Sequence, residues 1–552
     1  MQLRYKNLFW IFAVLAAFSF DRLFWEKPGG INFFIFILLV LLGGLIPMWL
    51  EKMIIPWTSY LLLIPILFFS AFTFILSEPF TILISVLIAL ASLILFAATL
   101  RSGAWLRFRT RDYFLCVSNF LLHSIIGGFA YFKDAEEETP SSPKNQSKKP
   151  GGELKKQENT FSKKAIPYLR GVLLALPLLA VLTALLASAD PVFSNRIQNL
   201  FSGFQLDAIG EYLFRLFYVF VFAYVILSAY YFGLVESKKW QEKILERKPP
   251  IGFLGAIESS IILGSINLLF LLFVVLQFTY LFGGESNIHL EGFTYAEYAR
   301  RGFAELLAVA VISLLVFYIL SMITRRESKS KQWSFSALGL ILVALVGIIL
   351  ASAYLRLTLY ETAYGFTRLR TLTHIFMIWT GLLLIGVAVL DIIKKMDRMA
   401  LIVVLMVFGF GLTVSLLNID RFIVRQNVTR SIATVDEKGT TVLDSGLDTG
   451  YLYSLSNDSI PPLVSVFSDP NTPKTVRDDI GGVLACRYAA LDTEKEVPWT
   501  SYHVARVRAN DLLKSLASQL DTYPTSETDG LLFVQVNGET RSCFGYEGSY
   551  MD

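Results

Sequence analysis

Two short segments of this chain carry acidic, basic and aromatic residues at spacings that could form a polar binding site. In the first, Glu297, Arg301 and Glu305 recur at four-residue steps beside Tyr298, so a helix would place the three charged residues on one face. A charge at the centre of a membrane helix costs about 2.5–3.5 kcal/mol on insertion scales, and such residues usually face a partner or a water-filled cavity. We therefore expect this segment to line a polar vestibule.

The second segment has the same character, because a helix would bring Glu361, Tyr364 and Arg368 onto one face and place Arg370 one turn before His374. The candidate binding residues of both segments, with one arginine that follows the last apolar run, are Glu297, Tyr298, Arg301, Glu305, Tyr360, Glu361, Tyr364, Arg368, Arg370, His374 and Arg425. The alternative is that these residues are anchors at the level of the lipid headgroups, where Tyr and Trp are enriched.

Motifs of known catalytic chemistry are missing from the sequence. It contains no Walker loop, no His-Glu-x-x-His, no Gly-x-Ser-x-Gly and no Cys-x-x-Cys. The four histidines are scattered, and no two of them have the spacing of metal ligands. We expect no metal, no cofactor and no catalytic residue that the sequence identifies, so an enzyme is the less favoured interpretation.

The elements that must position these residues are membrane helices. Of 552 residues 54% are hydrophobic, and the mean hydropathy is +0.55, which is far too apolar for an ordinary soluble protein. A run of about 20 apolar residues crosses the hydrocarbon as a helix. We predict spans at 8–24, 31–50, 54–76, 80–100, 168–189, 211–234, 254–281, 304–323, 334–355, 372–390 and 399–418. A twelfth candidate, 113–132, either crosses the membrane or lies in its interface.

Positive charge in every second loop predicts the orientation of the chain. The loops that begin near Glu236, Arg325 and Lys394 are basic, whereas the intervening loops carry aromatic residues and carboxylates. Because Lys and Arg near helix ends are retained in the cytoplasm, the pattern predicts a cytoplasmic N-terminus and an extracytoplasmic C-terminus in the cell membrane. The cations are spread over many loops, so we expect a lipid bilayer as partner and no nucleic acid.

The fold class expected is an all-α polytopic membrane protein of eleven or twelve transmembrane helices, with a small C-terminal α+β extracytoplasmic domain. We divide the chain into N-terminal membrane helices with a basic interfacial segment (1–132), a disordered cytoplasmic linker (133–165), a seven-helix core (166–418) and the extracytoplasmic domain (419–552). The linker is rich in Glu, Lys, Ser and Pro, a composition that cannot bury enough apolar surface to fold.

The C-terminal domain shows helical spacing at 476–491 and 501–520, then a strand-like run at 531–536. The dipeptide Asn537-Gly538 predicts a hairpin with a return strand over 540–544. Cys486 and Cys543 both lie in this domain, and in an oxidising compartment they either form a disulfide or remain two independent thiols. A protein partner of the domain is one further expectation.

Three sets of residues resemble a bacterial membrane family known as domain of unknown function 4173. They are the run from Tyr298 to Leu306, the run from Tyr360 to Arg370, and Asn418-Ile419-Asp420 with Arg425 and Asn427. The later Leu447-Asp448, Tyr451-Leu452, Trp499 and Arg506-x-Arg508-Ala509 are similar to the exported part of that family. The resemblance implies a multi-span core with a C-terminal tail and supplies no activity.

Three functions fit these observations. The first is transport or binding of a polar or lipid-linked envelope substrate at an outward-facing vestibule. The second is a membrane sensor or scaffold whose exported domain binds a partner. The third is a membrane-embedded transferase, in which a glutamate of the two segments would act as base and an arginine would bind phosphate.

Overall fold

The structure is a computed structural model that describes residues 6–126, 206–237, 252–281, 303–325, 328–438, 446–491 and 497–543, with a few isolated positions between 179 and 242. Among these residues, nine helices are long and apolar enough to cross a membrane. The predicted polytopic helical protein with a small α+β C-terminal part is confirmed. The linker 133–165, most of the span 168–189 and the segment 282–302 lie outside the described residues.

The described helices of the membrane part are α1 (Lys6–Phe24), α2 (Ile31–Leu50), α3 (Trp57–Tyr60), α4 (Leu63–Ile75), α5 (Pro79–Thr99), α6 (Thr110–Ile126), α7 (Leu206–Tyr231), α8 (Ala256–Leu281), α9 (Phe303–Ile323), α10 (Lys329–Tyr364), α11 (Arg368–Ile392) and α12 (Met399–Leu417). The elements that follow are α13 (Ile419–Lys438), α14 (Thr449–Ser454), α15 (Ile460–Phe467), α16 (Lys474–Leu491), α17 (Val504–Ser515), α18 (Ala517–Leu520), β1 (Thr525–Thr528), β2 (Leu531–Val536) and β3 (Glu539–Ser542).

The chain divides into two compact units, of which the first contains Met1–Lys27, Ile35–Ile54 and Ser118–Ser237. In this unit α1 packs along α7. The buried carboxylate of Asp21 accepts hydrogen bonds from Arg215 at 2.6 and 2.9 Å, and Phe20 stacks on Phe222. Opposite charges on facing helices neutralise each other inside the membrane, so this pair joins α1 to α7.

The second unit contains Pro28–Phe34, Ile55–Val117 and Lys238–Asp552, which include α3 to α5, α8 to α12 and the C-terminal domain. Its helices pack in a row, in which α8 and α9 lie against α10, and α11, α12, α5 and α4 follow in that order. At one end of the row, Arg398 donates to the carbonyl of Leu106 at 2.8 Å, and the amide of Arg325 donates to the carbonyl of Leu254 at 2.8 Å. We call this the basic end and the opposite one, where the C-terminal domain lies, the domain end.

Helix α10 is longer than a membrane is thick. Its 36 residues extend about 54 Å, whereas the hydrocarbon core measures about 30 Å. The apolar stretch 337–355 is long enough to fill that core, so the residues from Arg356 to Tyr364 continue as helix beyond it at the domain end. The segment between the predicted spans 334–355 and 372–390 is therefore helix except for three residues, because Arg, Thr and Glu are compatible with a helix once it has begun.

The C-terminal domain contains helices α14 to α18 and an antiparallel sheet of order β1-β2-β3. The predicted hairpin is confirmed: Val536 pairs with Glu539 across the turn, where Asn537 and Gly538 both have positive φ. Strand β1 was not predicted, since its four residues are all exposed and polar. Of the two alternatives for the cysteines, the structure has the disulfide between Cys486 and Cys543.

The domain is packed directly on the membrane helices. One hydrophobic cluster joins Ile375 of α11 and Val414 of α12 to Ile423 of α13 and to the core of the domain, which includes Leu463 and Val483. These side chains are all buried. The position of the domain over α11 and α12 is thus fixed by a continuous apolar core.

Candidate functional site

The candidate site lies at the domain end, where α10 stops and α11 starts. Gly365 ends α10 with φ of +81° and ψ of 174°, a conformation that is essentially restricted to glycine. A Cβ at this position would lie 2.9 Å from Arg430 Nη2 and 2.9 Å from Asn427 Oδ1. Thr367 then caps α11 by accepting a hydrogen bond from the amide of Arg370. The chain therefore reverses within three residues.

This break corrects one prediction. Glu361, Tyr364 and Arg368 were expected on one face of a single helix, but Arg368 is the first residue of the next helix. The positive φ of Gly365 turns the chain away from α10 before Arg368 is reached. Arg368 consequently points to different partners from Glu361, and the two residues belong to two separate clusters.

Two arginines converge on the C-terminal end of α10. Arg370 Nη1 donates to the carbonyl of Gly365 at 2.6 Å, and Arg430 Nη1 donates to the carbonyl of Ala363 at 3.2 Å. The Arg370 guanidinium also lies 4.0 Å from the centre of the Tyr360 ring, in a cation–π contact. Cations at a helix C-terminus satisfy the last carbonyls and the negative end of the dipole, which accounts for both positions.

The two guanidinium groups also repel each other. Burial, followed by the charge of nearby Arg370, lowers the pKa of Arg430. Among the described residues, Arg370 donates hydrogen bonds only through its backbone amide and Nη1. Its Nε and Nη2 therefore remain available to a ligand. A guanidinium group with available N–H donors that lies beside a second guanidinium group forms a geometry suited to an anion such as a phosphate.

Glu361 and His374 form the second cluster, between α10 and α11. The carboxylate Oε2 lies 2.9 Å from His374 Nδ1, and Glu361 is only 3% exposed. The other oxygen, Oε1, is buried and has no hydrogen-bond partner among the described residues. The His374 ring lies against Tyr354, with ring centres 4.5 Å apart. Because Glu361 is buried and His374 is part-buried, this pair joins the two helices.

Arg368 belongs to a third cluster that connects the membrane helices to the domain. Its guanidinium makes two parallel hydrogen bonds to the fully buried Asp420, at 2.6 and 2.7 Å, and its Nε lies 3.7 Å from Glu78 Oε1. Asp420 also accepts from the amide of Ser456 at 2.7 Å, and Glu78 caps α5 through Thr81. Buried carboxylates need such compensation, which this arginine supplies to helices α5 and α13 at once.

Two residues of the domain complete this third cluster. Asp458 accepts hydrogen bonds from the amide and hydroxyl of Ser77 at 2.6 and 2.9 Å and from Asn418 at 3.2 Å, while burial raises its pKa. Tyr451 accepts from the amide of Arg368 at 2.7 Å, and burial raises the pKa of its phenol to about 12. Every carboxylate of the cluster has donors, so its role is attachment of the domain.

The remaining predicted site residues fall into two groups. Glu297, Tyr298 and Arg301 lie outside the described residues, so the vestibule expected from them stays a prediction. Glu305, in the first turn of α9, and Arg425, on α13, are both exposed. Arg430, Glu78 and Asp458 were not predicted as site residues, although the pair Glu78-Pro79 has the form of a helix start.

A groove of about 430 Å³ lies beside these clusters, between the first turns of α9 and α11. It is lined almost entirely by apolar side chains, among them Phe303, Ala304 and Ala308 of α9 and Leu369 of α11. Leu369 is 72% exposed and directly precedes Arg370. The groove is therefore open to the outside at the first turn of α11, the turn that also carries Arg370.

The chain belongs to the family described as "Domain of unknown function (DUF4153)", whose family model matches residues 63–466. This finding overturns the resemblance to domain of unknown function 4173: short runs such as Tyr360 to Arg370 do not separate two families of multi-span proteins, whereas the longer match does. It extends from α4 to α15 and includes the clusters described above. No curated protein and no solved structure matches the chain significantly.

Proposed function

We propose that this member of the DUF4153 family binds a phosphate-bearing, lipid-linked envelope substrate at the domain end of α10 and α11, on the extracytoplasmic face of the membrane. The observation that carries the proposal is the convergence of Arg370 and Arg430 on the end of α10, with Nε and Nη2 of Arg370 available. Arginine binds phosphate through a planar pair of N–H donors, and the site lies just beyond the expected hydrocarbon core.

The orientation in this proposal is supported by the charge at the basic end. The described cations there are Arg101, Arg107, Arg109, Arg111, Arg325, Lys329, Lys331, Lys394, Lys395 and Arg398. Such a concentration next to helix ends favours the cytoplasmic side. The disulfide in the domain supports the same orientation, because disulfides persist in oxidising compartments.

Binding of an added lipid tests the proposal. In neutral detergent micelles, the purified protein should bind phosphatidylglycerol more tightly than phosphatidylcholine, whose headgroup carries no net charge. Arg370→Gln should weaken phosphatidylglycerol binding about 10- to 100-fold, since hydrogen bonds to charged groups contribute about 1.5–3 kcal/mol.

Arg508→Gln is the matched control, because Arg508 is an exposed arginine on α17 of the domain and is not a candidate site residue. Its substitution should leave the affinity within about twofold. Equal losses in the two variants would mean that general positive charge attracts the lipid, and the proposed site would be abandoned.

A membrane sensor is the second candidate function, and one observation favours it. Helix α13 carries both Arg430 and Asp420, and its buried residues Ile423 and Val424 belong to the core of the domain. A ligand bound at Arg430 would therefore contact the same rigid element that holds the domain. The transferase alternative has less support, because Glu361 is buried against His374 instead of facing a substrate.

A further inference from the structure

We infer that the groove between α9 and α11 holds an acyl chain of a membrane lipid whose anionic headgroup binds at Arg370 and Arg430. This inference rests on the proposed function and narrows it, because it assigns the substrate to the lipids of the outer leaflet and not to soluble phosphates.

The depth of the groove is the first support. Its α9 wall runs from Phe303 to Ile312, which corresponds to about 14 Å at about 1.5 Å per residue. The hydrocarbon core is about 30 Å thick, so the groove is about as long as half of that core. That is the depth that the acyl chains of one leaflet occupy.

The shape and chemistry of the groove are the second support. Ala304 and Ala308 lie one turn apart on α9 and leave space that larger side chains would fill, while Val311 and Ile312 continue the wall inward. The lining is apolar apart from Thr373, and a volume of about 430 Å³ lies within the range of about 300–1,000 Å³ found for small-molecule sites. Such a lining fits a hydrocarbon chain and excludes a polar solute.

Continuity with the arginine pair is the third support. Leu369 lines the groove and precedes Arg370 in the first turn of α11. Tyr360, which carries the Arg370 guanidinium on its ring, packs against the same hydrophobic cluster as the groove residues Phe303 and Leu307. A headgroup at Arg370 would therefore leave its chain at the mouth of the groove.

Two probes and two substitutions test the inference. Ala308→Trp fills the groove from an exposed position, so the helix should tolerate it. It should weaken binding of phosphatidylglycerol at least 10-fold while leaving binding of glycerol phosphate, which has no chain, unchanged. Arg370→Gln should weaken both probes. Ile319→Trp, at an exposed position of α9 outside the groove, is the control and should change neither.

The outcomes separate the inference from the proposed function. If Ala308→Trp leaves phosphatidylglycerol binding intact while Arg370→Gln reduces it, the headgroup site stands and the chain lies elsewhere. If Arg370→Gln affects neither probe, the proposed function itself fails.

A covalent label keeps the inference testable if Ala308→Trp does not fold. Phosphatidylglycerol with a photoreactive group on its chain should label the wild-type protein within 303–312 or at 369–373, and Thr373→Phe should reduce that labelling. Labelling confined to other helices would overturn the assignment.

Discussion

Asp420 is a point of contact between the membrane helices and the domain. It is fully buried, yet its carboxylate is matched by the Arg368 guanidinium and the amide of Ser456. An ion pair of this kind is weak evidence for net stability, because desolvation opposes the attraction. Loss of one partner is different, since the other charge stays buried without compensation.

Asp420→Asn is therefore expected to destabilise the folded protein by about 3–5 kcal/mol. Thermal unfolding in detergent, followed by protease resistance of the C-terminal domain, measures the effect. Asp511→Asn, which changes an exposed aspartate of α17, should leave the midpoint within about a degree. An Asp420→Asn protein as stable as the wild type would show that the arginine finds adequate hydration without this carboxylate.

The sequence could not predict which residues pair with each charged side chain of the site. Glu361 and His374 were selected as candidates from their spacing, but the partners of Arg368 lie 52 residues away at Asp420 and far upstream at Glu78. Neither separation has a period that a helix or strand could reveal. Charge and aromatic content identified the segment, whereas only the packing of four elements shows what each arginine binds.

At the scale of elements, the residues 501–502 just before α17 attach the domain to the start of α2 through hydrogen bonds. The amide of Ile31 donates to the carbonyl of Tyr502 at 3.1 Å, and the Ser501 hydroxyl donates to the carbonyl of Pro28 at 2.7 Å. His503 follows directly and is 5% exposed. Burial, together with the charge of Arg506, lowers the pKa of His503 to about 4.

This buried imidazole predicts a pH-dependent stability. The unfolded chain takes up a proton on His503 near pH 6.5, whereas the folded protein does so only near pH 4. Stability should hence be greatest above about pH 6.5, fall as the pH drops towards 4 and level off below it, with a total loss on the order of 3 kcal/mol.

Unfolding midpoints of the wild type and of His503→Gln, measured from pH 7.5 to pH 3.5, check this expectation. Subtracting one series from the other removes the contribution of the carboxylates, which titrate in both proteins. Parallel curves would mean that His503 is protonated in the folded state as readily as in the unfolded chain.

The elements themselves were largely predictable, and the misses have physical reasons. Apolar runs gave the spans because lipid requires about 20 apolar residues, and Asn537-Gly538 gave the hairpin because both residues accept positive φ. Hydropathy could not reveal the overhang of α10, since the segment from Arg356 to Tyr364 contains charged and polar residues and yet is helical. It also could not place β1, whose four residues are all exposed.

At the scale of the whole molecule, orientation follows from the distribution of Lys and Arg between the two ends of the helix row. We expect alkaline phosphatase fused after Asp552 to be active and green fluorescent protein at the same position to be dark, because the first folds outside the cytoplasm and the second inside. Fusions within the basic loop after Lys394 should give the opposite pair of signals. Fluorescence from the C-terminal fusion would reverse the orientation and remove the site from the outer leaflet.

The common core of α11, α12 and the domain has a practical consequence for anyone who wishes to learn what the domain does. Ile375 and Val414 are covered by it, so a truncation at the last span would leave bare apolar surface at the membrane boundary. The isolated domain would expose to water the apolar side chains that pack against these two residues. Neither part is suited to study on its own. The contribution of the domain is better probed by single substitutions on its outer face than by truncation of the chain.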